Sequence, residues 1–388
     1  MISGARPRPP SGASGPTGLR RRSTRPQRKK TTTWWRSSKK KAKTGLTVNL
    51  FTTRRSRDVA SETPLNGVDV VLADLDGVVY TGKNAIEFAV DALGRAVSEG
   101  TRVGYITNNA SRTDEQVAEH LSSFGLRVAP HDVVTSPQAA VLLLVDLVEP
   151  ASTILVVGGV GLTSEVEKAG FTVTRRAADQ PAAVIQGFAP DVAWTDLAQA
   201  SFALHTGIPW VATNTDWTIP VEGGIAPGNG TLVSAVHTAV GILPVVGGKP
   251  EKAIFEAAVK RFAAETPLFI GDRLDTDIVG ANRAGMRSVH VLTGIDGAKQ
   301  LIAADKDSRP TYILDDLRGL FEPYPETVFS KDGLSATVGS ATVRLKGNEV
   351  EVAKAGDSAV NRLRAACALI WESGRPIYGL KVAPELYS

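Results

Sequence analysis

Two aspartates, Asp74 and Asp76, stand one residue apart behind the apolar run Val70-Val71-Leu72-Ala73, and Gly77 follows them. A run of this kind reads as a buried strand. Residues i and i+2 of a strand share a face, so the two carboxylates can serve one pocket. In an open α/β sheet the ligand crevice lies beyond the carboxyl ends of the strands, and Gly77 lets the chain turn there. Alone, Asp-x-Asp-Gly is equally compatible with a metal-binding loop of the calcium type. Three more stretches end in groups that ionise or hydrogen-bond. Val103–Ile106 runs into Thr107, Asn108 and Asn109. Gly247-Gly248-Lys249-Pro250 sets a lysine before a helix, and Leu268–Gly271 runs into Asp272, Asp275 and Asp277.

These residues need strands and helices in alternation to bring them together. An apolar helical pattern covers 85–96, and Thr113-Asp114-Glu115-Gln116 is a capping box. Val117, Leu121 and Phe124 form that helix's inner face, and Gly125 ends it. Strand, helix, strand, helix implies a parallel sheet. From about residue 150 a second unit reads as strand 153–157, helix 162–169, strand 182–186, helix 195–205 and strand 209–213. Gly158-Gly159-Val160-Gly161 invites a dinucleotide-binding reading, but the third glycine of that fingerprint would fall on Ser164, so it fails. Pro220–Gly230 is loop by composition. A helix over 231–240 and a strand over 243–246 then lead to Lys249, where Pro250 suits a first helical position. Ile254, Ala258 and Phe262 give the next helix one apolar face, and 289–292 and 312–314 read as further strands. Residues 325–388 close the chain with a hairpin pattern over 334–352, turning near Gly347-Asn348, and a helix over 357–372. Cys367 falls in that helix's apolar pattern and reads as core.

The chain has 388 residues, 43% of them hydrophobic and 22% charged, enough for two or three domains. No apolar run approaches the ~20 residues of a membrane helix; Leu142-Leu143-Leu144-Val145 is short and reads as buried helix. A single cysteine excludes an internal disulfide and fits a reducing compartment, the cytoplasm. Five scattered histidines offer no zinc spacing. The net charge of +4 hides a split: residues 1–62 hold 17 Lys/Arg against Asp58 and Glu62, and the rest holds 27 against 38 acids. Residues 1–66 carry no periodic apolar face and are expected to be a disordered basic tail. Arg20-Arg21-Arg22, Lys39-Lys40-Lys41 and Trp34-Trp35 could give it weak contact with nucleic acid or an anionic surface. It lacks the apolar core of a secretory signal. A downstream start is a further reading, and it would need a non-AUG codon, since the other methionine is Met286.

In order and spacing, Asp-Leu-Asp-Gly-Val-Val-Tyr (74–80), Thr-Asn-Asn-Ala-Ser-Arg (107–112), Lys249 and Gly-Asp-Arg-Leu-Asp-Thr-Asp (271–277) resemble the four motifs of the haloacid dehalogenase-like (HAD) superfamily. Within it, the chain is similar to NagD-like phosphatases, and 325–388 resembles an extra segment of actinobacterial members. The resemblance implies an α/β fold: a Rossmann-like parallel-sheet core over 67–149 and 229–322, an inserted α/β cap over 150–228, and a small C-terminal α+β segment over 325–388. The 142 residues between Thr107 and Lys249 leave room for such a cap.

The resemblance also implies an activity, the Mg²⁺-dependent hydrolysis of small phosphate monoesters through an aspartyl-phosphate. Asp74 would be the nucleophile, and Asp76 the general acid and then base. Asp74, the main-chain carbonyl of Asp76, and Asp272 would hold Mg²⁺. Thr107 and Asn108 would bind phosphoryl oxygens, Asn109 would support their loop, and Lys249 would stabilise the transferred charge. Asp277 would orient Lys249 or the metal's waters. Charge balance agrees: Asp74, Asp272 and Asp277, if ionised, bring three negative charges and the phosphate about two more, so Lys249 and a divalent cation are needed. Asp76 argues against a dehalogenase, which lacks that second acid, and the large insertion argues against the phosphomutases. A non-enzymatic HAD fold that binds nucleic acid through its tail is the alternative class. Among substrates, glycerol 3-phosphate leads, with phosphoglycolate, nucleoside monophosphates and pyridoxal phosphate as alternatives. The loop Asp216–Glu222 is the candidate specificity element, and an oligomer is compatible with all of this.

Overall fold

In a computed structural model the described residues are 62–387, Glu222 excepted; the basic stretches at 20–22 and 39–41 lie outside them. Order begins earlier than the expected end of the tail at residue 66. Pro64 is buried, Leu65 packs on the main core, and the main-chain N–H of Tyr324 donates to the Glu62 carbonyl at 3.1 Å.

Six parallel strands form the central sheet, in the order 312–314, 287–291, 267–271, 70–73, 102–107, 133–135. Val70–Ala73 is fully buried between Pro267–Gly271 and Arg102–Thr107. This explains its unbroken apolar sequence, since a parallel strand covered on both faces has no polar side. The strand order reverses at Val70–Ala73, which makes its carboxyl end the switch-point crevice. Asp74, Thr107 and Asp272 leave three neighbouring strands there. Helix Asp114–Ser123 carries the capping box expected at Thr113 and Gln116. The preceding helix spans Ala89–Ser98 rather than 85–96, because Asn84–Ala85 pairs with Tyr80–Thr81 in a small hairpin.

The second sheet has five parallel strands, in the order 245–246, 210–212, 183–186, 153–157, 172–174. Strand Val245–Val246 pairs with Val211–Ala212. The inserted unit therefore extends past 228, where the sequence placed its end. The misleading stretch, Pro220–Gly230, is not a loop throughout. Thr218–Val221 and Gly224–Pro227 form an antiparallel hairpin, and Asn229 opens the helix Asn229–Val240. A two-stranded ribbon has free edges, so Pro220 and Pro227 cost it no sheet hydrogen bond. Helix Ser136–Val145 joins the layers: Ala139 packs in the core, while Ala140, Val141 and Leu144 pack under the second sheet. Leu142 and Val145 are exposed, so that apolar run is buried only in part.

A third sheet, in the order 327–329, 335–338, 341–346, 349–354, 381–382, is antiparallel except at its last pair. The expected turn at Gly347-Asn348 joins 341–346 to 349–354. Helix Ala359–Ser373 covers this sheet and buries Cys367 completely. Leu301, Ile302 and Ile313 share its apolar cluster, so this segment is packed on the edge of the central sheet.

Candidate active site

Asp74 is tied to the sheet by its main-chain N–H, which donates to the Ile270 carbonyl at 2.8 Å. The chain then leaves the strand at once, and the N–H groups of Val78, Val79 and Tyr80 all turn back to the Leu75 carbonyl. Gly77, with φ of +81°, closes this turn in a conformation that favours glycine. A Cβ on Gly77 would stand 2.3 Å from Asp272 Oδ2. Asp76 thus reaches the crevice by a turn and not by strand alternation. Asp76 is exposed as a residue, and its Oδ2 lies 3.5 Å from the Tyr80 hydroxyl that donates to it.

Lys249 is buried, and its Nζ lies 2.7 Å from Asp74 Oδ1 and 2.7 Å from Asp277 Oδ1. Asp277 Oδ2 accepts the main-chain N–H groups of Asp272 and Arg273, each at 3.1 Å. Both oxygens of Asp277 are therefore committed, one to the lysine and one to the turn after the third strand. Helix Lys252–Phe262 begins later than Pro250, after a turn in which Glu251 N–H donates to the Gly248 carbonyl. Asp275 is exposed and pairs with Arg273 at 2.9 Å, outside the crevice.

Asp74, Asp272 and Asp277 each offer an oxygen within 4.8 Å of the others. Asp272 Oδ2 accepts the Ile295 N–H at 2.7 Å, while Asp272 Oδ1 is buried with no protein partner. A buried carboxylate oxygen without a donor is costly unless a cation meets it. With Asp277 saturated, Asp272 and Asp74 are the carboxylates left to hold one. Oxygen-only donors suit Mg²⁺, so the residues present fit that ion.

Burial, then the nearby Asp277 charge, pushes Asp272 up to about 7. Asp74 is also raised, by burial and Asp277, against the pull of Lys249. Burial alone would lower Lys249, but Asp277 and Asp74 outweigh it and keep the ammonium charged. Asp76 is raised by its seat in the crevice, opposed by Lys249 and Arg112.

The Thr107–Arg112 loop divides its labour. Thr107 Oγ1 accepts the Asn109 N–H at 3.1 Å, and the hydroxyl hydrogen stays available. Asn109 Oδ1 accepts from Ser111 N–H, Ser111 Oγ and Arg112 N–H at 3.0–3.2 Å, which fixes the loop. The Asn108 side chain does not face the crevice as a phosphate ligand: it is bonded to Asp216 and to the main chain of Lys249. Sequence reasoning missed the Thr293–Asp296 loop. Thr293 Oγ1 donates to the Gly77 carbonyl at 2.7 Å, and a Cβ on Gly294 would sit 2.0 Å from Asp272 Oδ2. Only the glycine hints at this, because the contact joins segments far apart in the chain.

A model of haloacid dehalogenase-like hydrolases matches residues 71–172, and a second, HAD-hydrolase-like model matches 246–320. D-glycerol 3-phosphate phosphatase of Mycobacterium tuberculosis is 41% identical over 307 residues, 79% of this chain and 86% of that protein. The chain belongs to the HAD-like hydrolase family. This HAD-like phosphatase is also 33% identical to the 5'-nucleotidase YutF of Bacillus subtilis over 248 residues, 63% of this chain and 94% of that one. A crystal structure of glycerol phosphate phosphatase from M. tuberculosis in complex with magnesium superposes with a TM-score of 0.74 at 38% identity, covering 83% of this chain and 95% of that one. A thermostable NPPase from Geobacillus stearothermophilus follows at 0.59 and 29% identity, covering 64% and 96%. This HAD-like phosphatase acts on small phosphorylated substrates and uses Mg²⁺, the ion carried by the M. tuberculosis structure. Among the described residues, no helix is long and apolar enough to cross a membrane.

Proposed function

We propose that this phosphatase hydrolyses glycerol 3-phosphate, with Asp74 as nucleophile and Asp76 as acid and base. The observation that carries the roles is the Asp74–Lys249–Asp277 chain at 2.7 Å per contact. It holds one carboxylate and one ammonium where a phosphoryl group would meet both. Asp74 attacks phosphorus, and the ester oxygen leaves with the proton of Asp76, whose carboxyl is raised by burial in the direction that favours the protonated acid. Asp76 then takes a proton from the water that attacks the aspartyl-phosphate, releasing phosphate and free Asp74. The Thr107 hydroxyl, the Asn108 main-chain N–H and the Lys249 ammonium hold the phosphoryl oxygens. Asp277 and Asn109 hold Lys249 and the loop in place. Mg²⁺, held by Asp74, Asp272 and the Asp76 carbonyl, supplies the remaining positive charge against the phosphate.

The substrate reading rests on reach. The glycerol phosphate phosphatase match covers 83% of the chain, enough to take in the C-terminal segment, whereas the nucleotidase match covers 63%. The test is a panel of phosphate monoesters with Mg²⁺. Glycerol 3-phosphate should show the highest kcat/KM; a nucleoside monophosphate, phosphoglycolate or pyridoxal phosphate ahead of it would overturn the reading. We further infer a cytoplasmic setting, supported by a lone buried cysteine. Weak contact with nucleic acid or an anionic surface through the basic tail, residues 1–66, is supported by the charge of residues 1–62. Self-association is supported by the exposed Leu243 and Val245 at the edge of the second sheet.

A further inference from the structure

Asn108 is the point where three segments meet. Its Nδ2 donates to both carboxylate oxygens of Asp216 at 3.2 Å and to the Lys249 carbonyl at 3.1 Å. Its Oδ1 accepts the Lys249 main-chain N–H at 2.8 Å. Its main-chain carbonyl accepts from Asn214 Nδ2 at 2.8 Å and Ser136 Oγ at 2.7 Å. Asn229 Nδ2 in turn holds the Asn214 carbonyl at 2.7 Å. Gly248 passes through this crossing with no room to spare: a Cβ there would lie 2.4 Å from the Thr213 carbonyl and 2.6 Å from Asn108 Oδ1.

A primary amide has two N–H donors and one carbonyl acceptor, and Asn108 commits both ends. Nothing in the Lys249 peptide alone fixes which end of the amide faces which group, because that peptide offers both a donor and an acceptor. A carboxylate only accepts. Asp216 therefore demands the amino end of Asn108 and leaves the oxygen end for the Lys249 N–H. An ionised carboxylate is also a stronger acceptor than a neutral amide oxygen. Asp216 lies in the loop after Trp210–Ala212 of the second sheet, whereas Asn108 and Lys249 belong to the catalytic loops.

We propose that Asp216 is a positioning residue for catalysis, acting from the inserted unit through the Asn108 amide on the Lys249 backbone. The lysine then lies between Asp74 and Asp277 only while the inserted unit is seated. This rests on the phosphatase reading, and it separates Asp216 from the rest of the 216–222 loop. A specificity contact would act on the leaving group; this relay acts on the phosphoryl group, whatever leaves.

The experiment compares Asp216→Ala and Asp216→Asn for kcat and KM on glycerol 3-phosphate and 4-nitrophenyl phosphate at saturating Mg²⁺, with Tm recorded. Asp216→Ala should lose kcat on the order of tenfold, the worth of one charge-assisted hydrogen bond, by the same factor on both esters and with KM little changed. Asp216→Asn, which is uncharged and offers a donor as well as an acceptor, no longer fixes the Asn108 amide and should recover little of the loss. In an Asn108→Ala background, Asp216→Ala should cost nothing further. A loss confined to KM, a loss that differs between the esters, full recovery in Asp216→Asn, or an additive double mutant would each overturn the proposal. Should Asp216→Ala fail to fold, Asp216→Glu gives the second measurement: its displaced carboxylate should lower kcat equally on both esters at wild-type Tm, and an unchanged kcat would overturn the proposal. A wild-type protein inactive on both esters would instead refute the phosphatase reading.

Discussion

Replacing Lys249 with methionine keeps the length of the side chain and removes its charge. In the native site the ammonium is 3% exposed and lies 2.7 Å from each of Asp74 and Asp277. Its loss leaves two buried carboxylates facing each other with no cation between them. Breaking a buried pair in this way costs about 3–5 kcal/mol, and the cost should depend on pH in a definite direction. Asp74 is already raised, and losing Lys249 raises it further. A carboxyl whose folded pKa is raised stabilises the fold at low pH, and that contribution disappears as pH rises through the folded value. Urea denaturation of Lys249→Met in EDTA should therefore show the larger deficit at pH 8 and a smaller one at pH 5, with saturating Mg²⁺ returning part of it. In turnover at saturating Mg²⁺, kcat should fall by about 10²–10³, the loss seen when one preorganised charge-stabilising group is removed. Equal stability of the two proteins at pH 8 without metal would refute the ion chain. A kcat within tenfold of wild type would refute the role of Lys249.

Four more outcomes follow from the same geometry. Asp272 is held up to about 7, so Mg²⁺ must displace its proton at lower pH; calorimetric titration should show weaker binding at pH 6 than at pH 8, and a flat profile would contradict this. Activity lost to EDTA should return with Mg²⁺ and not with Zn²⁺, since the donors are all oxygen. Asp76→Asn should slow glycerol 3-phosphate far more than 4-nitrophenyl phosphate, whose leaving group needs little protonation; equal losses would show that Asp76 is not the acid. Gly294→Ala, which sets a Cβ against Asp272 Oδ2, should weaken Mg²⁺ on the order of tenfold or more, and unchanged affinity in a folded variant would refute that contact.

The strands Val70–Ala73 and Pro267–Gly271 were legible because each is a short apolar run ending at an acid, and burial on both faces of a parallel sheet produces that pattern. The acids could be found for the same reason, since a charge at the end of such a run has few places to go except the crevice. The turn that carries Asp76 was not legible, because strand alternation gives the same side for a different cause. Nor was the extent of the inserted unit. Pro220 and Pro227 signal a break, and the break is a hairpin inside the unit, while the exit comes at Gly247-Gly248. Gly158–Gly161, whose spacing already fails the nucleotide fingerprint, packs the inserted unit on the core: a Cβ on Gly161 would stand 2.3 Å from the Arg112 carbonyl. Motif position points Asn108 to phosphate but does not show that its side chain is committed elsewhere. Its partners Asp216 and Lys249 lie 108 and 141 residues away, and no local pattern records contacts of that range.

The most direct test of the account is whether Asp74 carries the phosphoryl group during turnover. Wild type and Asp76→Asn would be mixed with 4-nitrophenyl phosphate, whose leaving group needs no acid, and Mg²⁺, quenched in acid within one turnover, digested and read by mass spectrometry. The account predicts one added phosphoryl group on the peptide containing Asp74, accumulating further in Asp76→Asn and absent in Asp74→Asn. Turnover with no phosphoryl group on that peptide, or with the group on another residue, would contradict it.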